Sequence, residues 1–131
     1  MKTSTIFYSL VALITVSPET VMAGCFSGGV DWQDRGAARW HIERACKGYD
    51  GKQGAFQGWF NPGQAKSACV QHSGTQKFDF FVQNLNTGAG FDLGDNDCVL
   101  RLQNIVNGCS KGGQDDIAGW RFRADPNNGI C

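Results

Sequence analysis

Six cysteines, all downstream of an apolar leader, constrain this chain more than any other feature. Cys25, Cys46, Cys69, Cys98, Cys109 and Cys131 are spread through the sequence, and none falls in the first 23 residues. An even count in a short exported chain reads as three disulfides. Paired cysteines serve neither as metal ligands nor as nucleophiles. The framework also implies an oxidising compartment, so a secreted, extracellular protein is expected. Toxin, inhibitor, lectin and small hydrolase are the function classes that fit.

The leader covers residues 1–23. Lys2 supplies a positive start, residues 6–16 form the apolar stretch, and Val21-Met22-Ala23 supplies a cleavage site. The stretch is too short for a helix that spans a bilayer. The expected organisation is a signal peptide over 1–23 and one disulfide-stabilised domain over 24–131. No second apolar run follows, so membrane insertion is not expected. The chain carries 12 Lys and Arg against 12 Asp and Glu. The leader removes one of each, Lys2 and Glu19, and leaves the balance neutral. Nucleic-acid and anionic-membrane binders carry basic stripes or clusters, and none occurs here.

Two segments show helical periodicity. Over residues 31–48, Ala38, Ile42, Ala45, Cys46 and Tyr49 recur on one face, with Asp31 or Asp34 as cap and Gly48 as stop. Over residues 95–108, Cys98, Leu102, Ile105, Val106 and Cys109 repeat the offsets, with Asp95 or Asp97 as cap and Gly108 as stop. A helix there separates Cys98 from Cys109 by about 16 Å, too far for a disulfide. Strands are expected over residues 54–60, 66–72, 77–85 and 117–124. The strand over 77–85 is apolar on both faces, which predicts a central, covered position. Short turns join the first three strands into an antiparallel meander. The predicted class is α+β: an antiparallel β-sheet with two main helices packed on it, an αβα-type sandwich held by three disulfides.

No catalytic set emerges. His41 and His72 are the two histidines, and His41 does not face Glu43 on a helix. No serine occupies a Gly-x-Ser-x-Gly elbow. Asp92, Asp95 and Asp97 lack the glycine and glutamate spacing of a calcium loop, and read as a turn and a helix start. No catalytic, metal or cofactor residues are therefore assigned. What remains is two groups of aromatic and polar residues, Trp59-Phe60-Asn61 and the run from Trp120 to Asn128. Carbohydrate sites stack an aromatic ring on a sugar and fork Asp, Asn or Arg side chains to its hydroxyls. Trp59, Asn61, Trp120, Arg121, Arg123, Asp125 and Asn127 are the candidate ligand-binding residues. Alternation along the last strand turns Trp120 inward and puts Arg121, Arg123 and Asp125 on its open face.

Several runs resemble one family. They are Gly24-Cys25-Phe26-Ser27-Gly28-Gly29, Lys77-Phe78-Asp79-Phe80, Asn84-Leu85-Asn86, Cys109-Ser110-Lys111-Gly112-Gly113, Gly119-Trp120-Arg121-Phe122-Arg123-Ala124-Asp125-Pro126-Asn127 and the closing Cys131. The chain is similar to the small secreted glycan-binding proteins of mushrooms, the ink-cap mushroom lectin-like domains. The resemblance implies an antiparallel sheet sandwiched by helices, a homodimer formed through sheet edges, and recognition of fucosylated or N-acetylgalactosamine-bearing glycans. The leading expectation is a secreted, non-enzymatic lectin acting on glycans or glycoproteins in defence or cell-surface recognition. The alternatives are a cysteine-rich toxin or effector with a protein or membrane target, and a small ribonuclease using His41 or His72.

Overall fold

The computed structural model describes residues 24–131. The signal peptide expected over 1–23 lies outside them. Helix α1 (Arg35–Lys47) begins where the Asp34 carboxylate accepts a hydrogen bond from the Ala37 N–H at 3.0 Å, which satisfies one orphan donor of the first turn. It stops at Gly48, whose φ of 81° lies in the region that glycine favours. Asp31 is not the cap; its carboxylate pairs with Lys111. Ala38, Ile42, Ala45 and Cys46 are buried as their spacing predicts, but Tyr49 lies past the helix end and is exposed.

Helix α2 (Asp95–Gly108) buries Cys98, Leu102, Ile105 and Val106. Its N-cap is Gly94, with no side-chain cap. Asp95 and Asp97, expected as caps, instead occupy the first turn, where a carboxylate is favoured by the positive end of the helix dipole.

The strands are β1 (Trp59–Phe60), β2 (Ala65–Gln71), β3 (Gln76–Asn84), β4 (Phe91–Asp92), β5 (Gly113–Ile117) and β6 (Trp120–Asn128). Four of them form an antiparallel sheet in the order β2-β3-β6-β5, and β1 pairs with β4 in a separate two-stranded sheet. The strand expected over 54–60 shrinks to β1. Upstream of it the Phe56 N–H donates to the Ala45 carbonyl at 3.0 Å, and Phe56 is buried. That segment is thus tied to the end of α1 rather than to a sheet, so the three-strand meander reduces to the β2–β3 hairpin. The strand expected over 117–124 divides. Ala118 and Gly119 have φ of 54° and 85°, a two-residue hairpin turn whose hand matches the twist of its strands. Ile117 therefore ends β5, and β6 continues to Asn128. Asp115 and Asp116 are strand residues of β5.

β3 lies between β2 and β6, the central position its sequence predicts. Its burial alternates strictly, with Gln76, Phe78, Phe80, Val82 and Asn84 inward. The inward residues meet Phe122 and Ala124 of β6, with Ile42 of α1 and Leu102, Ile105 and Val106 of α2, in one core. Trp32 joins it, and its indole N–H donates to the Cys109 carbonyl at 2.8 Å. Both helices thus cover the same sheet face. The layering differs in this respect from a sandwich with helices on two sides: the outward residues Lys77, Asp79, Phe81 and Gln83 of β3 are half-exposed.

The disulfides pair Cys25 with Cys109, Cys46 with Cys98, and Cys69 with Cys131. One joins the two helices; the others tie down the two ends of the described chain. Cys98 and Cys109, at opposite ends of α2, are not partners, as the helical rise requires. Among the described residues, no helix is long and apolar enough to cross a membrane.

Candidate functional site

The open sheet face takes its chemistry from cross-strand register. Asp79 of β3 pairs with Asp125 of β6, Phe81 with Arg123, and Lys77 with Asn127. On the other side of β3, Cys69 lies opposite Asp79 and Ser67 opposite Phe81. Alternation points these side chains away from the core. All of them but Lys77 line a groove of about 310 Å³.

Two carboxylates directly opposite on neighbouring strands repel. Here Asn127 relieves the pair. Its Nδ2 donates to Asp79 Oδ2 at 2.7 Å and to Asp125 Oδ2 at 3.2 Å. The Lys77 ammonium stands 3.7 Å from Asp79. Burial raises the pKa of Asp125 above the usual carboxylate value, and Asp79 adds to the rise; the Asn127 hydrogen bond and the Arg123 charge oppose it. The Arg123 guanidinium lies 4.3 Å from the Phe81 ring centroid. Its Nε is buried and has no hydrogen-bond partner. A buried donor is ordinarily satisfied, and this one has no partner among the described residues. Ring, guanidinium, amide and carboxylates occupy one surface, where they offer both donors and acceptors to a hydroxyl-rich ligand.

Of the residues singled out in the sequence, Arg123, Asp125 and Asn127 meet in this groove. Arg121 lies on the same face, but its guanidinium forks the Asp116 carboxylate at 2.8 and 2.9 Å. That bond holds the Asp116 pKa low and straps β6 to β5. Trp120 turns to the opposite face, edge-on to Phe60 at 5.0 Å. Trp59 is 60% exposed, on β1 opposite Asp92. Asn61 sits in the turn after β1, its N–H bound to Gln64 Oε1 at 2.7 Å. Asp79, Phe81 and Ser67 are the groove residues that sequence reasoning passed over. The alternation of β3 carries a signal for Asp79 and Phe81, but only the β3–β6 register brings them to Asp125 and Arg123.

The two histidines pack on one ring, and no hydrogen bond joins them among the described residues. His72 stacks on Phe78 with centroids 4.8 Å apart, and His41 meets Phe78 edge-on at 6.4 Å. Burial lowers the pKa of His41, and the charges of Arg44 and His72 add to the effect. Asp95 is occupied in accepting a hydrogen bond from Gln57 at 3.0 Å. Among the described residues no group of three His, Cys, Asp or Glu could hold a metal ion.

Fold and face together define a disulfide-stapled α+β domain with a polar and aromatic groove on its open sheet face. The chain belongs to the glycan binding domain Y3 family, whose model matches residues 38–131. The match begins inside α1, while Trp32 and the Cys25–Cys109 bridge tie the preceding segment into the same core. No curated protein matches the chain.

Proposed function

We propose that the protein is a secreted, non-enzymatic lectin that binds glycans or glycoproteins through the open sheet face, in defence or cell-surface recognition. Family membership supports carbohydrate binding, and the three disulfides fit an extracellular setting. The observation that carries the choice of site is the buried, unpartnered Nε of Arg123 beside Asp79, Asp125 and Asn127. Its test is a glycan array probed with the oxidised protein. Saturable binding to a narrow set of glycans, competed by free sugar, is the expected result. A blank array with folded protein contradicts the proposal.

The carboxylates facing each other across β3 and β6, one with a raised pKa, favour a second reading, glycoside cleavage. Against it stands the Asn127 amide, which donates to both carboxylates and so uses Asp125 as an acceptor. Mass spectrometry of an incubated array-positive glycan distinguishes the two: an unchanged mass supports binding, and a released sugar supports cleavage.

The proposed assembly is a homodimer through the outer edge of β2. This edge strand has seven residues, and its one charged residue, Lys66, turns back to the Gln57 carbonyl at 2.9 Å. The other edge, β5, carries Asp115 and Asp116 and is bridged at Gly113 by Cys25, which blunts it against pairing. Light scattering giving twice the monomer mass supports the dimer; a monomer at high concentration contradicts it.

A further inference from the structure

A second built surface lies where the C-terminal half of α1 and the segment after it meet β2. Trp40 is 53% exposed and Tyr49 37% exposed. The Arg44 guanidinium sits between them, 4.3 Å from the Trp40 ring and 3.7 Å from the Tyr49 ring. The edge of His41 meets Trp40 at 4.8 Å. The result is a stack of ring, guanidinium and ring whose orientation is fixed by its own contacts. These rings do not pack the helix, since Ala38, Ile42, Ala45 and Cys46 do that. A cluster of exposed aromatic rings on a small domain marks an interaction site.

The stack walls a cavity of about 540 Å³ that is also lined by Gln53 and floored by Ala68 and Val70 of β2. That volume falls within the range of small-ligand sites. Its charge is one-sided. No Asp or Glu lines it, Lys52 Nζ reaches 5.9 Å from Tyr49, and Glu43 on the same helix is paired with Lys47 at 3.4 Å. Among the described residues Arg44 makes no ion pair and no side-chain hydrogen bond. A cationic ligand is repelled here. An anion with a flat apolar face is attracted on both counts.

We propose that this cavity is a second saccharide site, selective for a sugar that bears a carboxylate. The pyranose stacks on Trp40, its carboxylate is held by Arg44, and Gln53 takes a hydroxyl. The proposal rests on the reading of the domain as glycan-binding and adds to it a division of labour. The sheet groove sets Asp79 and Asp125 against Arg123 and the neighbouring Lys77, so its charge is balanced, whereas the α1 cavity presents positive charge without a carboxylate and collects acidic sugars.

The test is calorimetric titration of the oxidised protein with 3′-sialyllactose and with a glucuronic-acid-terminated disaccharide, using lactose as the neutral control. At least one acidic probe binds, and lactose binds at least about tenfold more weakly, the worth of one charge-assisted contact. Arg44→Gln and Trp40→Ala each weaken the acidic probe by a similar factor. In the wild-type protein the Trp40 indole N–H resonance shifts on titration, a readout that needs no variant. Failure of both acidic probes, equal binding of lactose, indifference to Arg44→Gln, or an unmoved Trp40 resonance overturns the proposal. If neutral glycans still bind the array, only this second site falls; a blank array removes the glycan-binding reading itself.

Discussion

Gln76 is 1% exposed, and both ends of its amide are in use. Nε2 donates to the Asp31 carbonyl at 2.9 Å, and Oε1 accepts from the Gln33 N–H at 3.0 Å. One side chain on β3 thus holds the segment that leads into α1. Gln76→Leu strips two main-chain groups of their partner, and a loss of about 2 kcal/mol or more in urea unfolding is expected. His41 makes a prediction about pH. Its pKa in the folded protein lies below 6.5, so the unfolded chain takes up the proton first as pH falls. Stability then drops as pH is lowered through the window beneath 6.5. Urea midpoints at neutral and mildly acidic pH measure the drop, and His41→Gln flattens it. Little of this was legible in the sequence. Gln76 reads as an ordinary polar residue at a strand start, because its partners lie more than forty positions upstream. Asp79 escaped notice for the same reason: Asp125 is distant in sequence and adjacent only through pairing.

The helices were legible, and two strands, β4 and β5, were not. α1 and α2 carry their own evidence in the spacing of Ala38 and Ile42, or Cys98 and Leu102, since local periodicity specifies a helix. β5 carries none. Gln114, Asp115 and Asp116 look like a loop, and they form a strand because an edge strand with polar side chains is tolerated and protective. The extent of β6 was hidden by Pro126, which ordinarily argues against a central strand. It is accommodated because β5 reaches only to the pairing of Gly113 with Ala124, so no ladder bond is asked of the Pro126 nitrogen on that side. The bridge between the helices is the element-scale test. Cys46 and Cys98 are 52 positions apart, and closing a loop of that size is worth about 4 kcal/mol in the chain-entropy account. Replacing both by serine is expected to lower the thermal midpoint sharply, with α1 losing amide protection before β3.

At the scale of the molecule, three bridges and one helix layer leave a whole sheet face open to solvent. A domain of this size buries a modest share of its surface, and the bridges compensate by restricting the unfolded chain. The face is therefore free to carry polar and charged groups that a second layer of helices would have to bury. The family resemblance suggested glycan recognition from the run around Trp120 to Asn127. The structure brings alternate members of that run, Arg123, Asp125 and Asn127, together on the open face and turns Trp120 to the core side. Trp40 and Tyr49 drew no notice as a pair in the sequence, because only the end of α1 brings them to the two sides of Arg44.

The most direct measurement is the affinity of the strongest array-positive neutral glycan for the wild-type protein and for Arg123→Ala. Arg123 forms no ion pair or hydrogen bond through its buried Nε, so the variant is expected to keep its thermal midpoint within a few degrees. The account predicts that the affinity falls at least about tenfold, the worth of a contact to a charged donor. An unchanged affinity in a folded Arg123→Ala protein would contradict the assignment of the sheet groove as the glycan site.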